Sequence, residues 1–284
     1  MNKTLFTKNI KEIEHILLTT QKAYSQKELA VVLEYIKEKR LIAQDTQSRV
    51  FFNTLLDQLQ LKTYSIASER INKERYSLQV LSKFGFISSL EKDSFLSMSS
   101  ALNIQGLSLY RDDFIFYSKE LNDRGAHLED DLSQEEIDIA FKRPYRITKN
   151  IAKYKGKNIV YLTPKNTRHC EVIDFNGFQV SSINRALVEM IVNVQYFRTF
   201  NDIIKCFIPI KDKLSINKVF HVLLSFDFIY PYFQLLGFAL ERIGFNKDDL
   251  NIFKEQVSNL IFYTDKNQSK YIFNDYWKIN YIDN

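Results

Sequence analysis

Five cations lie between residues 49 and 75: Arg49, Lys62, Arg70, Lys73 and Arg75. They are interleaved with Gln47, Ser48 and Asn53. Lysine and arginine neutralise phosphates, while amides and hydroxyls of this size reach base edges in the major groove. Such side chains act together only if the backbone presents them on one surface. The local pattern supplies candidates for that backbone. Residues 47–59 form an amphipathic segment whose apolar set is Val50, Phe51, Leu55 and Leu59, leaving Gln47, Ser48, Arg49, Asn53, Asp57 and Gln58 outward. Two alternating segments follow, Lys62–Ala67 and Arg75–Val80, around a charged turn from Ser68 to Glu74. Their alternation places Tyr64, Ile66, Tyr76 and Leu78 on one face. A helix followed by a hairpin with a basic tip is the sequence pattern of a winged helix-turn-helix that binds DNA.

Other chemistries find less support. The four histidines (His15, His127, His169 and His221) sit in no HExxH spacing and beside no paired cysteines, so no metal is expected. Cys170 and Cys206 are isolated, which suits a reducing cytoplasm. No nucleophile elbow or phosphate-cradling glycine loop occurs, and Asp112-Asp113, Asp130-Asp131 and Asp248-Asp249 resemble loops or helix starts. Neither an enzyme nor a cofactor is expected. Arg185 and Glu189 are four apart on a predicted helix and face together. With Glu241 on another predicted helix, they are candidates either for contacts to a partner or for a salt bridge that orients helices. As an exposed pair, Arg185 and Glu189 would contribute about 0–1 kcal/mol.

The elements that must carry these residues fill a chain of 284 residues, comfortable for two domains. Residues 1–85 hold 14 Lys/Arg and 9 Asp/Glu, whereas residues 86–284 hold 25 of each. The whole excess of +5 therefore lies in the first third, as for a phosphate-binding module joined to a neutral one. Predicted helices cover residues 8–21, 25–40 (with Ser25 and Glu28 as a capping box) and 47–59, the last capped by Asp45 or Thr46. A boundary falls at 85/86. Beyond it, strands alternate with short helices over 86–182, with Asn176-Gly177 as a hairpin turn and Asn122–Asp131 as a polar loop. Helices dominate 183–262, including one at 248–261. The expected class is helix-rich α+β: a winged helix-turn-helix, then a mixed α/β domain with a helical C-terminal half. No apolar run reaches the ~18 residues of a membrane span, and no membrane partner is expected.

Four stretches, in order, are similar to the AbiEi family of abortive-infection antitoxins, the regulator half of type IV toxin–antitoxin pairs. The first runs from Phe95 through Ser97-Met98-Ser99-Ser100-Ala101-Leu102 to Gly106-Leu107, with Met98 and Gln105 where the family commonly has histidine. The second is Leu132-Ser133-Gln134-Glu135 through Phe141, with Pro144 and Arg146. The third is Ser182-Ile183-Asn184-Arg185-Ala186-Leu187-Val188-Glu189, and the fourth runs from Tyr230 to Glu241 with Phe233 at a frequent histidine position. The resemblance implies a winged helix that represses its own operon by binding repeats, inverted or direct, in promoter DNA. It further implies a C-terminal domain that counters a nucleotidyltransferase toxin, with or without direct contact, in the cytoplasm.

Overall fold

The first helices form where capping and spacing direct them. The computed structural model describes residues 4–107, 113–122 and 132–283. It opens with α1 (Leu5–Lys8), α2 (Ile10–Thr20), α3 (Gln26–Glu38) and α4 (Ser48–Leu59). The Ser25 hydroxyl accepts the Glu28 N–H at 3.3 Å, and the Ser25 N–H donates to Glu28 Oε2 at 2.6 Å, the reciprocal bonds of a capping box. For α4 the expectation fails: its N-cap is Gln47, without a side-chain bond, and neither Asp45 nor Thr46 caps it. Ile13, Leu17, Leu29, Leu33, Ile36, Phe51 and Leu55 form the core among these helices. Next come β1 (Lys62–Ala67) and β2 (Asn72–Ser77), paired antiparallel. Between α2 and α3, Tyr24 exchanges both backbone hydrogen bonds with Tyr76 at 2.8 Å, adding a one-residue bridge beside β2. Helix α5 (Lys83–Ser88) then buries Phe86 and Ile87.

Two compact bodies result. The first comprises the chain up to Ser94 together with Asn150–Ile159; the second comprises Phe95–Lys149 and Val160 onward. The strand Ile151–Tyr154 thus belongs with the hairpin, where Phe86 lies between Tyr64 (centroids 5.8 Å) and Tyr154 (4.5 Å). The sequence reading drew one cut at 85/86. A strand supplied from 65 residues downstream of that cut has no local signature, and only packing reveals where it belongs.

The second body contains β3 (Phe95–Leu96), α6 (Met98–Ile104), β4 (Phe114–Ser118) and α7 (Gln134–Lys142). After β5, the Ile151–Tyr154 strand of the first body, come β6 (Lys157–Leu162), β7 (Val172–Phe175) and β8 (Phe178–Ser181). Within this body the strands follow the order β6-β4-β3-β8-β7, with β6 contributing from Val160 onward. Asn176 and Gly177 both take positive φ (52° and 78°), as a two-residue hairpin requires. Helices α8 (Ile183–Val192), α9 (Phe200–Phe207), α10 (Ile216–Phe226), α11 (Tyr232–Ile243) and α12 (Asn251–Lys254) follow. A small sheet ends the chain: β9 (Phe262–Tyr263), β10 (Ile272–Asn274) and β11 (Ile279–Tyr281), in the order β10-β11-β9. The architecture is α+β. The predicted helix 248–261 shrinks to a single 3-10 turn and α12. The reason is Gln234, fully buried, whose amide accepts the Ser258 N–H and donates to the Leu260 and Lys278 carbonyls. Backbone groups satisfied by a side chain have no need of a helix ladder. Among the described residues no helix is long and apolar enough to cross a membrane. The predicted loop Asn122–Asp131, with His127, falls outside the described residues beyond Asn122.

Candidate functional site

Helix α4 buries Phe51 and Leu55, with Phe52, Leu56 and Leu59 half-buried along one flank. At 100° per residue the opposite side carries Arg49, Asn53 and Asp57, all exposed, with Gln47 and Ser48 exposed at the helix start. Val50, expected in the core, is 55% exposed in the middle of that outer face. The apolar pattern around residue 50 is continuous, so which side turned inward depended on what packs there. Phe52 meets Tyr76 edge-on at 4.8 Å and draws the stripe to that flank.

The hairpin departs from the expected arrangement. Its register pairs Tyr64 with Arg75, Ile66 with Lys73 and Thr63 with Tyr76. Directly paired residues share a face, so Tyr64 and Ile66 lie with Lys73 and Arg75, while Tyr76 lies on the other face. The four apolar residues do not share a face because both faces are covered. Arg70 at the turn and Lys62 at the start of β1 are exposed. Arg75 is not available to a phosphate. Its Nε donates to the Ser89 carbonyl at 2.6 Å, its Nη2 to the Leu90 carbonyl at 2.5 Å and its Nη1 to the Glu74 carbonyl at 2.7 Å. Lys73 pairs with Glu91 at 2.8 Å. Of the eight predicted DNA contacts, the structure therefore leaves Gln47, Ser48, Arg49, Asn53, Lys62 and Arg70 outward and employs Lys73 and Arg75 internally.

Assigning Asn150–Ile159 to the first body changes its charge. That body holds 18 Lys/Arg and 11 Asp/Glu, a net +7, and the remainder 21 and 23, a net −2. Lys153 and Lys155 are exposed cations that the sequence reading missed, and Lys155 lies 6.0 Å from the Tyr64 ring centre. The alternation Lys153, Lys155, Lys157 around Gly156 was the available signal, but it was read as part of the second domain.

In the second body the family-like motifs meet in its interior. Arg185 is 0% exposed. Its Nε donates to Glu189 Oε1 at 2.7 Å and its Nη2 to Glu120 Oε1 at 2.9 Å, while Nη1 donates to Thr167 Oγ1 (2.9 Å) and the Cys170 carbonyl (2.7 Å). The guanidinium lies 4.7 Å from the Phe95 ring centre and 5.1 Å from that of Phe226. Glu189 Oε2 accepts from the Met98 N–H (3.1 Å) and from Ser181 Oγ (2.8 Å). Glu120 accepts from the Thr167 and His169 N–H groups and the Thr167 hydroxyl. Burial alone would raise the Glu120 pKa, but those hydrogen bonds and the Arg185 charge outweigh it and hold the carboxyl below its ordinary range. The pair read from i, i+4 spacing thus exists, but as part of a buried cluster with Glu120, which no local spacing connects to it. Every part of Arg185 is engaged, which leaves neither it nor Glu189 to meet a partner at the surface. Met98 adopts φ 51°, a conformation uncommon outside glycine, where its N–H points to Glu189.

Glu241 likewise serves the fold: it accepts the Trp277 indole N–H and lies 3.5 Å from Lys247. Gln105 donates to the Ala101 and Ser181 carbonyls. Cys170 and Cys206 are free thiols. Among the described residues no three His, Cys, Asp or Glu side chains are grouped to hold a metal ion. No protein-family model matches the chain, and no curated protein does. Among solved structures the chain is similar to the RV2827C protein from Mycobacterium tuberculosis, with TM-score 0.55, 8% identity, and 96% of this chain and 90% of that one covered. At that identity the likeness concerns the fold alone.

Proposed function

We propose that the protein is an antitoxin and autoregulatory transcriptional repressor of a type IV toxin–antitoxin operon, and not an enzyme. In this reading the first body is a winged helix that binds promoter DNA, with α4 in the major groove and the β1–β2 hairpin as the wing. The second body counters a nucleotidyltransferase toxin. The observation that carries the DNA reading is the outward face of α4, with Arg49 and Asn53 beside the exposed Arg70, on a body of net +7. The element order supports it: helix, one-residue bridge at Tyr24, two helices, then a hairpin. The antitoxin reading rests on the four ordered motifs.

Intact protein titrated with fluorescent upstream DNA at increasing salt tests the first part. Binding weakens as salt rises because bound counterions are released. Asn53→Ala and Arg49→Ala reduce discrimination between operator and random DNA by about 1–3 kcal/mol each if the contacts are bidentate. Arg70→Ala and Lys62→Ala weaken both DNAs alike and flatten the salt slope by about one each. No salt-sensitive binding by the intact protein would remove the DNA reading. The test needs the whole chain, because a fragment ending at residue 90 lacks the Ile151–Tyr154 strand that covers Phe86.

One observation favours a second reading, a winged helix that docks a protein. Val50 is exposed at the centre of α4's outer face, and Arg49 there is offset by Asp57. Val50→Asp separates the two. It abolishes protein docking in that reading, whereas on DNA it acts as one more anion near phosphates and its effect shrinks with salt.

A further inference from the structure

Where Tyr145, Arg146, Gln195, Tyr263, Thr264 and Lys266 surround a cavity of about 220 Å³ in the second body, polar groups converge without a counterpart. The Lys266 ammonium donates to the Ala140 carbonyl at 2.7 Å and lies 5.5 Å from the ring centres of both Phe141 and Tyr145. One bond leaves two of its three N–H donors unassigned. Arg146 is exposed and forms no ion pair among the described residues, and Arg143 is exposed nearby. Burial, then repulsion from Arg146 and Arg143, pushes the Lys266 pKa down, so three cations crowd together with no anion between them.

Thr264 supplies an independent observation. It is 2% exposed, lines the cavity, and its hydroxyl has no hydrogen-bond partner. It is close enough to Asp265 to favour that carboxylate's charged form but makes no bond of acceptable geometry with it. A buried hydroxyl without a partner costs about 1–3 kcal/mol, which a ligand acceptor would offset. Asp265 itself, whose Oδ1 accepts the Phe200 N–H, is held above the ordinary carboxyl range by burial, so it resists placing negative charge behind the cavity. Asp138, which lines the neighbouring cavity, has Oδ1 occupied by Gln134 and the Tyr263 hydroxyl.

Cations at a rim call for an anion, and aromatic walls call for a flat ring. Phe141 and Tyr263 stack at 4.9 Å and form one wall; Tyr145 forms another. Gln195 offers an amide that can both donate and accept. The volume lies below the roughly 300–1,000 Å³ of drug-sized sites, which suits one small ring with its phosphate at the mouth. We infer that this cavity binds a nucleoside monophosphate, with the base against the aromatic wall and the phosphate held by Arg146, Lys266 and the Thr264 hydroxyl. The inference does not rest on the DNA-binding reading, which concerns the other body.

Calorimetric titration of the full chain with UMP, uridine and inorganic phosphate tests it. UMP is expected to bind about tenfold or more tightly than either fragment of itself, because the base and phosphate contacts add. Arg146→Ala weakens UMP about tenfold, as loss of a charge-assisted bond does. Thr264→Val weakens UMP severalfold while leaving the melting temperature unchanged or higher, since it removes an unpaired hydroxyl; a purely structural threonine would lower it. Absence of UMP binding at millimolar concentration overturns the assignment. So does phosphate binding as tightly as UMP, or full UMP affinity in Arg146→Ala.

Discussion

Arg185→Ala is expected to lower the melting temperature of the second body by on the order of 10 °C, about 3–5 kcal/mol, since it strands buried carboxylates without their cation. The three charges are nearly inaccessible: 0% for the Arg185 side chain, 4% for Glu120 and 6% for Glu189. An exposed i, i+4 pair would shift stability by a few tenths of a kcal/mol, so the size of the loss separates the two descriptions. A change within 2 °C would sink the claim that this cluster orders the second body. Changing Arg185 to Met together with Glu120 and Glu189 to Gln and Leu should recover much of the loss, because removing a buried ionic cluster as a unit is often neutral. The pH dependence has a defined sign. The folded-state pKa of Glu120 is depressed, so its contribution is present above the unfolded value near ~4.3 and is lost as pH falls through the folded value. Asp265 is raised by burial and acts oppositely, favouring the fold as pH falls. Glu120→Gln should therefore flatten the acid limb of a stability-versus-pH curve, measured by denaturant unfolding between pH 3 and 7.

Gly237→Ala is expected to destabilise by about 3 kcal/mol or more, at the upper end of overpacking costs. In an ordinary helix interior the same change stabilises by roughly 0.5–1 kcal/mol, so the sign itself is diagnostic. The residue lies within α11, and an added Cβ would fall 2.5 Å from Trp277 Cη2 and closer still to Cζ3. The ring has little room to withdraw: it is 0% exposed, and its indole N–H is held by Glu241, one helical turn after Gly237. Glycine and glutamate at i and i+4 thus form one seat for one tryptophan. If that account holds, Gly237→Ala costs little in a Trp277→Leu background, and a double-mutant cycle by chemical unfolding measures the coupling. A full additive penalty in that background would show that the glycine serves something other than the ring.

The contrast between Ser25 and Arg185 separates what local sequence determines from what it does not. Ser25 with Glu28, the apolar stripe from Leu29 to Ile36, and the Asn176-Gly177 turn are made of residues close in the chain, and each took the predicted conformation. Strand β1 likewise spans the predicted Lys62–Ala67, because alternation is a local property. The concentration of positive charge in the N-terminal third was also legible, being a matter of composition. Long-range packing settled the rest. The hairpin register turned Lys73 and Arg75 toward Glu91, Ser89 and Leu90, and the contact of Phe52 with Tyr76 turned Val50 outward. Arg185 and Glu189 were visible as neighbours on a helix, but Glu120 lies 65 residues away from Arg185. Whether that pair met water or a second carboxylate depended on which strands and loops closed over α8. The spare hydroxyl of Thr264 beside Lys266 and Arg146 is decided in the same way. An unpaired donor is defined by every group that could have reached it, and only the folded chain brings those groups to one place.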